Sequence, residues 1–93
     1  MEKRTIDPWK WGEQTNSAQA VEVTNVAGTL YCSGQVAIDS NGVPSNADMR
    51  SQLIQTIQNL EQLINEAGYE CKNIVRLNVY TTSMQEFFSS CID

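Results

Sequence analysis

The sequence predicts an α+β domain, and three observations carry that reading. Met49, Leu53, Ile54, Ile57, Leu60, Ile64 and Ala67 recur at spacings of three and four, the apolar stripe of a helix. Residues 19–38 and 73–82 alternate apolar and polar side chains, the period of a half-buried strand. Asn25 to Gly28 and Ser40 to Pro44 carry the turn chemistry that separates such elements.

Taken in order, Thr5 to Trp11 holds Pro8 with Trp9 and Trp11 two positions apart, a pair expected to cover the edge of a core. Ala20-Val21-Glu22-Val23 suits a strand with one polar face. With the turn at Asn25 and a partner strand from Thr29 to Ile38, residues 19–38 read as a β-hairpin. The helix that follows can be capped by Ser45 or Asn46 and stopped by Gly68 in a left-handed conformation. Its other face, with Gln52, Gln55, Gln58, Glu61, Gln62 and Glu66, reads as a solvated surface. Asn73 to Thr82 reads as a strand that turns Val75, Leu77 and Val79 toward the helix. Arg76, Asn78 and Tyr80 then lie on the opposite face, where apolar bulk beside hydrogen-bonding groups suits a subunit contact. Ser83 opens a second helix, with Phe87, Phe88, Cys91 and Ile92 beginning its apolar stripe.

Composition narrows the chemistry. The 93 residues read as one domain, 1–93, with no internal repeat. No apolar run approaches the roughly 20 residues of a membrane-spanning helix, and no signal sequence opens the chain, so a cytoplasmic protein without membrane partners is expected. Six basic residues against eleven acidic ones give a net charge of −5, with no basic cluster, which argues against nucleic acid as a partner. There is no histidine, and Cys32, Cys71 and Cys91 form no metal-ligand spacing. Neither a zinc site nor a Ser-His or Cys-His dyad can be built from this set. The cysteines read as small core residues in a reducing compartment.

One stretch departs from the strand pattern. In LYCSGQV, residues 30–36, Ser33, Gly34 and Gln35 interrupt an apolar alternation that resumes at Val36. A glycine there either coils the strand as a bulge or lets a ligand approach the backbone. The residues alone leave both readings open.

SGQV after an apolar strand, Asp48 and Gln52 in a D-x-x-x-Q helix start, Asn59-Leu60, AGY at residues 67–69 and NIVRLNVYTT at 73–82 together resemble the Rid family. These YjgF-type reactive-intermediate deaminases carry the older label of endoribonuclease or translation inhibitor. The resemblance implies a chorismate-mutase-like, ferredoxin-like sheet backed by helices, assembled as a trimer with clefts between subunits. It implies hydrolysis of 2-imino and enamine acids to 2-keto acids and ammonia, with no cofactor and no metal. Ser33, Gly34 and Gln35 would line the cleft, and the position of a pocket aromatic in the family falls on Ser17.

The family's carboxylate-binding arginine and water-positioning glutamate lie in later segments with no counterpart in these 93 residues. The chain therefore reads as incomplete at its C-terminus and lacking the final strands. Its catalytic residues are unassigned, and activity of the chain alone is not expected. The alternatives are a non-catalytic oligomeric binding module and the ribonuclease chemistry of the older label.

Overall fold

The computed structural model describes residues 1–11 and 18–91. The α+β class is observed. The chain divides into two compact units, residues 1–32 and 33–93.

In the first unit, β1 (Glu2–Ile6) pairs antiparallel with β2 (Ala20–Thr24), Arg4 opposite Glu22 and Ile6 opposite Ala20. Arg4 Nη2 lies 3.3 Å from Glu22 Oε2 across the pair, and Thr24 Oγ1 donates to Glu2 Oε2 at 3.2 Å. Both charges of the Arg4–Glu22 pair stand largely in water, so the pair sets register more than it stabilises. Trp9 and Trp11 stack on each other with ring centroids 5.9 Å apart, and both are exposed. They pair with each other where a core edge was expected. Asn25 has φ of 55°, the left-handed turn conformation expected of it.

The hairpin expected over 19–38 is not what forms. β2 takes β1 as its partner, and no strand is assigned to residues 29–38. The second half of that segment is committed elsewhere. The Ile38 amide donates back to the Val36 carbonyl at 2.9 Å, a γ-turn about Ala37, and the Val36 and Ile38 carbonyls both accept from a helix side chain. Carbonyls used this way are lost to a β-ladder.

The second unit begins there. Residues 37–45 fold back on themselves. Ser45 N donates to Ala37 O at 2.8 Å, Asp39 N to Val43 O at 3.1 Å, and Ile38 bridges Pro44. Asp39 Oδ1 accepts from the amides of Asn41 and Val43, at 2.9 and 3.0 Å, and Gly42 supplies the positive φ of 77° that the turn requires.

Helix α1 (Met49–Glu66) follows as its periodicity predicts. Its cap is Asp48, whose carboxylate accepts from Ser51 N at 2.8 Å, and neither Ser45 nor Asn46 holds that place. Ser45 instead accepts from Ala47 N at 3.2 Å in a turn of its own. Gln52 Nε2 also reaches back to Ala47 O, at 2.6 Å, so the D-x-x-x-Q pattern is a device for starting this helix. At the other end Gly68, with φ of 85°, donates to Asn65 O, and Tyr69 donates to Ile64 O, both at 3.0 Å. This is a Schellman termination.

A single 3-10 turn, Cys71–Asn73, comes next, closed by the Asn73 side chain accepting from Glu70 N at 2.9 Å. The strand expected over 73–82 is not assigned. Asn73 belongs to the turn, and residues 74–82 have no hydrogen-bonded partner strand among the described residues. Val75, Leu77 and Val79, expected to pack toward the helix, are exposed. Ser83 caps α2 (Met84–Ser90) by accepting from Glu86 N at 3.1 Å, as its sequence predicts. Arg50 Nη1 ties the two helices by donating to Ser90 O at 2.9 Å, where α2 leaves carbonyls without helical partners.

Candidate functional site

Residues 34–40 and one face of α1 form the walls of an open groove within the second unit. On one side stand Gly34, Gln35, Val36, Ile38, Asp39 and Ser40; on the other, Gln55, Asn59, Gln62, Leu63 and Glu66. Positions 55, 59, 62 and 66 fall on one helix stripe, so their side chains follow one another along the groove. Gln55 Nε2 donates to Asn59 Oδ1 at 2.8 Å and Gln62 Nε2 to Glu66 Oε1 at 3.2 Å. The face read from sequence as merely solvated therefore builds half of the groove. The missed signal was its run of carboxamides at helical spacing.

Among the expected cleft residues, Gly34 and Gln35 line this groove and Ser33 stands beside them, exposed. Ser33 O accepts from Gln35 Nε2 at 3.3 Å. Ser17 lies outside the described residues. Gly34 needs no unusual backbone conformation, and a Cβ placed on it would meet nothing within 4 Å. Neither φ nor packing in this chain therefore requires glycine at that position. Arg76, Asn78 and Tyr80 do not line the groove; all three are exposed, Tyr80 to 90%.

Chemically the groove offers hydrogen-bond donors and acceptors in pairs, the Ser40 hydroxyl and the apolar side chains of Val36, Ile38 and Leu63. Its two ionisable groups, Asp39 and Glu66, are carboxylates, and no lysine or arginine lines it. An anionic ligand would need its counter-charge from outside this wall. Among the described residues no group of three His, Cys, Asp or Glu side chains could hold a metal ion, and no helix is long and apolar enough to cross a membrane.

The groove thus lines up backbone and carboxamide hydrogen-bonding groups on an open face of an α+β chain. The sequence profile of the family described as endoribonuclease L-PSP matches residues 14–91. A RutC family protein of Aquifex aeolicus is 34% identical over 70 residues, covering 75% of this chain and 54% of that protein. The mitochondrial protein mmf2 of Schizosaccharomyces pombe is 34% identical over 61 residues, 64% of this chain and 47% of the relative. A mouse protein named 2-iminobutanoate/2-iminopropanoate deaminase is 32% identical over 71 residues, 75% of this chain and 50% of the relative. The chain belongs to the endoribonuclease L-PSP family, the Rid group that its motifs resemble. It spans about half the length of the curated relatives it matches. No solved structure gives a significant match.

Proposed function

We propose that this chain supplies one wall of a cleft for a small 2-imino or enamine acid, in the hydrolysis of that acid to a 2-keto acid and ammonia. The observation that carries the reading is the groove itself. Gly34 and Gln35 of the SGQ segment line it, the glycine being one that neither backbone nor packing requires, in a chain similar to a protein named as an imine deaminase. The reaction adds water across the C=N bond and releases ammonia. Gly34 lets the ligand approach the main chain, while Ser33 and Gln35 offer hydroxyl and carboxamide contacts to the imine or keto end. Ser17 is the fourth proposed contact.

The substrate's carboxylate finds no cation in this wall. A counter-charge from a neighbouring copy fits that gap, and the proposed assembly is a homo-oligomer, the trimer that the resemblance implies, with Arg76, Asn78 and Tyr80 at the subunit contact. The family's older label points to RNA cleavage. With no histidine and a net charge of −5, nothing in the chain favours that chemistry.

The test is a titration of the isotope-labelled chain with 2-ketobutanoate, the stable keto product of 2-iminobutanoate. Saturable movement of the Gly34 and Gln35 amide resonances is expected. Gly34→Ala should weaken it while leaving the fold intact, since a Cβ there meets open space. Resonances that stay still at millimolar ligand would sink the proposal. Ammonia release from threonine dehydratase reactions, with and without the chain, then separates hydrolysis from binding alone.

A further inference from the structure

Asn59 sits where α1 meets the γ-turn at residues 36–38. Its Nδ2 donates to Val36 O at 3.0 Å and to Ile38 O at 2.8 Å, so both amide hydrogens reach carbonyls of the same turn. Its Oδ1 accepts from Gln55 Nε2 at 2.8 Å. This network fixes which way the carboxamide faces, because the reversed orientation would set its oxygen against two carbonyl oxygens. It also leaves Asn59 little capacity to bind a ligand directly.

We propose that Asn59 is a positioning residue. It clamps the turn at residues 36–38 to the helix, and so fixes Gly34 and Gln35, two residues upstream, at the lip of the groove. Three features favour a clamp over a casual surface contact. Two carbonyls of one tight turn converge on a single side chain. That side chain is backed by a second carboxamide one helical turn away. The far end of the clamped turn is also tied by the Ile38–Pro44 bridge, but residues 34–36 belong to no strand among the described residues, so the Asn59 contact is what joins this end of the turn to α1. The role in ligand binding rests on the cleft reading above, whereas the clamp itself does not.

Asn59→Asp is the sharpest test, because it keeps size and shape but turns an acceptor toward two acceptors. In the free protein, the amide resonances of residues 34–38 should move and hydrogen exchange at Ile38, whose amide donates to Val36 O, should quicken by roughly tenfold or more, while α1 amides 53–58 stay protected as in wild type. Unchanged resonances at 34–38 would overturn the clamp. With 2-ketobutanoate, an anion, the test uses Asn59→Leu, which removes the clamp without adding negative charge to the groove: it should bind roughly tenfold more weakly at unchanged helicity, and undiminished affinity would overturn the positioning role. If the wild-type chain fails to bind 2-ketobutanoate, the cleft reading falls and the ligand-free measurement alone decides the clamp. If Asn59→Asp does not fold, Gln55→Ala removes only the backing bond. A smaller displacement of the same resonances is then expected, and none would overturn the proposal.

Discussion

At the scale of single residues, Asp48 shows how one carboxylate couples this fold to pH. Hydrogen bonds from the Ser51 side chain and backbone, helped by the nearby Arg50 charge, hold its carboxyl below the ordinary carboxylate range. A carboxyl whose pKa is lower in the folded state stabilises fully above its unfolded value, about 3.9, and loses that contribution as pH falls through the folded one. The helix start should therefore weaken in acid only. Asp48→Asn keeps an acceptor for Ser51 N but does not titrate. Following helix content down from about pH 4 to about pH 2, wild type should lose more than this variant does. Superimposable acid curves would show that the cap carries no pH dependence. The cap was partly visible in sequence, as an acidic residue directly before the first apolar position of the stripe. Ser45 and Asn46 were equally plausible by residue type, and which oxygen reaches Ser51 N is decided by the path of the turn at residues 45–47.

Elements differ in how much of themselves they declare. Helix α1 was legible because 18 residues repeat one period and the hydrogen bonds closing it are local. Its end at Gly68 was legible for the same reason, and its cost can be measured. At φ of 85° an alanine is strained even though its Cβ meets nothing within 4 Å. Gly68→Ala should thus destabilise by about 1 kcal/mol, and a chemical-denaturation midpoint equal to wild type would contradict the Schellman assignment. Strands declare only half of themselves. Val75, Leu77 and Val79 alternate as a strand requires, yet alternation names no partner, and residues 74–82 have none among the described residues. The same gap misdirected β2. Its period was read correctly, but the nearest candidate, residues 29–38, bends into a turn held by Asn59, and Glu2–Ile6 pairs instead. The groove was half legible. Its SGQ wall announced itself by a break in pattern, whereas its carboxamide wall looked like any solvated helix face until the turn at residues 36–38 was set against it.

For the whole molecule the difficulty is the shortage of interior. Among the described residues only Ala37 and Ile64 are buried, at 8% and 5% exposure. With so little apolar surface removed from water, an isolated copy should be marginal. Apolar groups in the second unit remain open: Val36, Ile54, Ile57, Val75, Leu77, Val79 and Phe88 are all exposed. The proposed oligomer would cover such groups, and Leu77, at 62% exposure, separates the two cases. On a free surface Leu77→Asp should change stability by no more than about 0.5 kcal/mol. If neighbouring copies cover it, the same charge must be buried unpaired, and the variant should dissociate or unfold. Light scattering and melting curves over a hundredfold range of concentration should then show a multimer whose Tm rises with concentration in wild type, and a lower mass in the variant. A wild-type chain that melts cooperatively as a monomer at a Tm independent of concentration, with Leu77→Asp matching it, would refute the assembly.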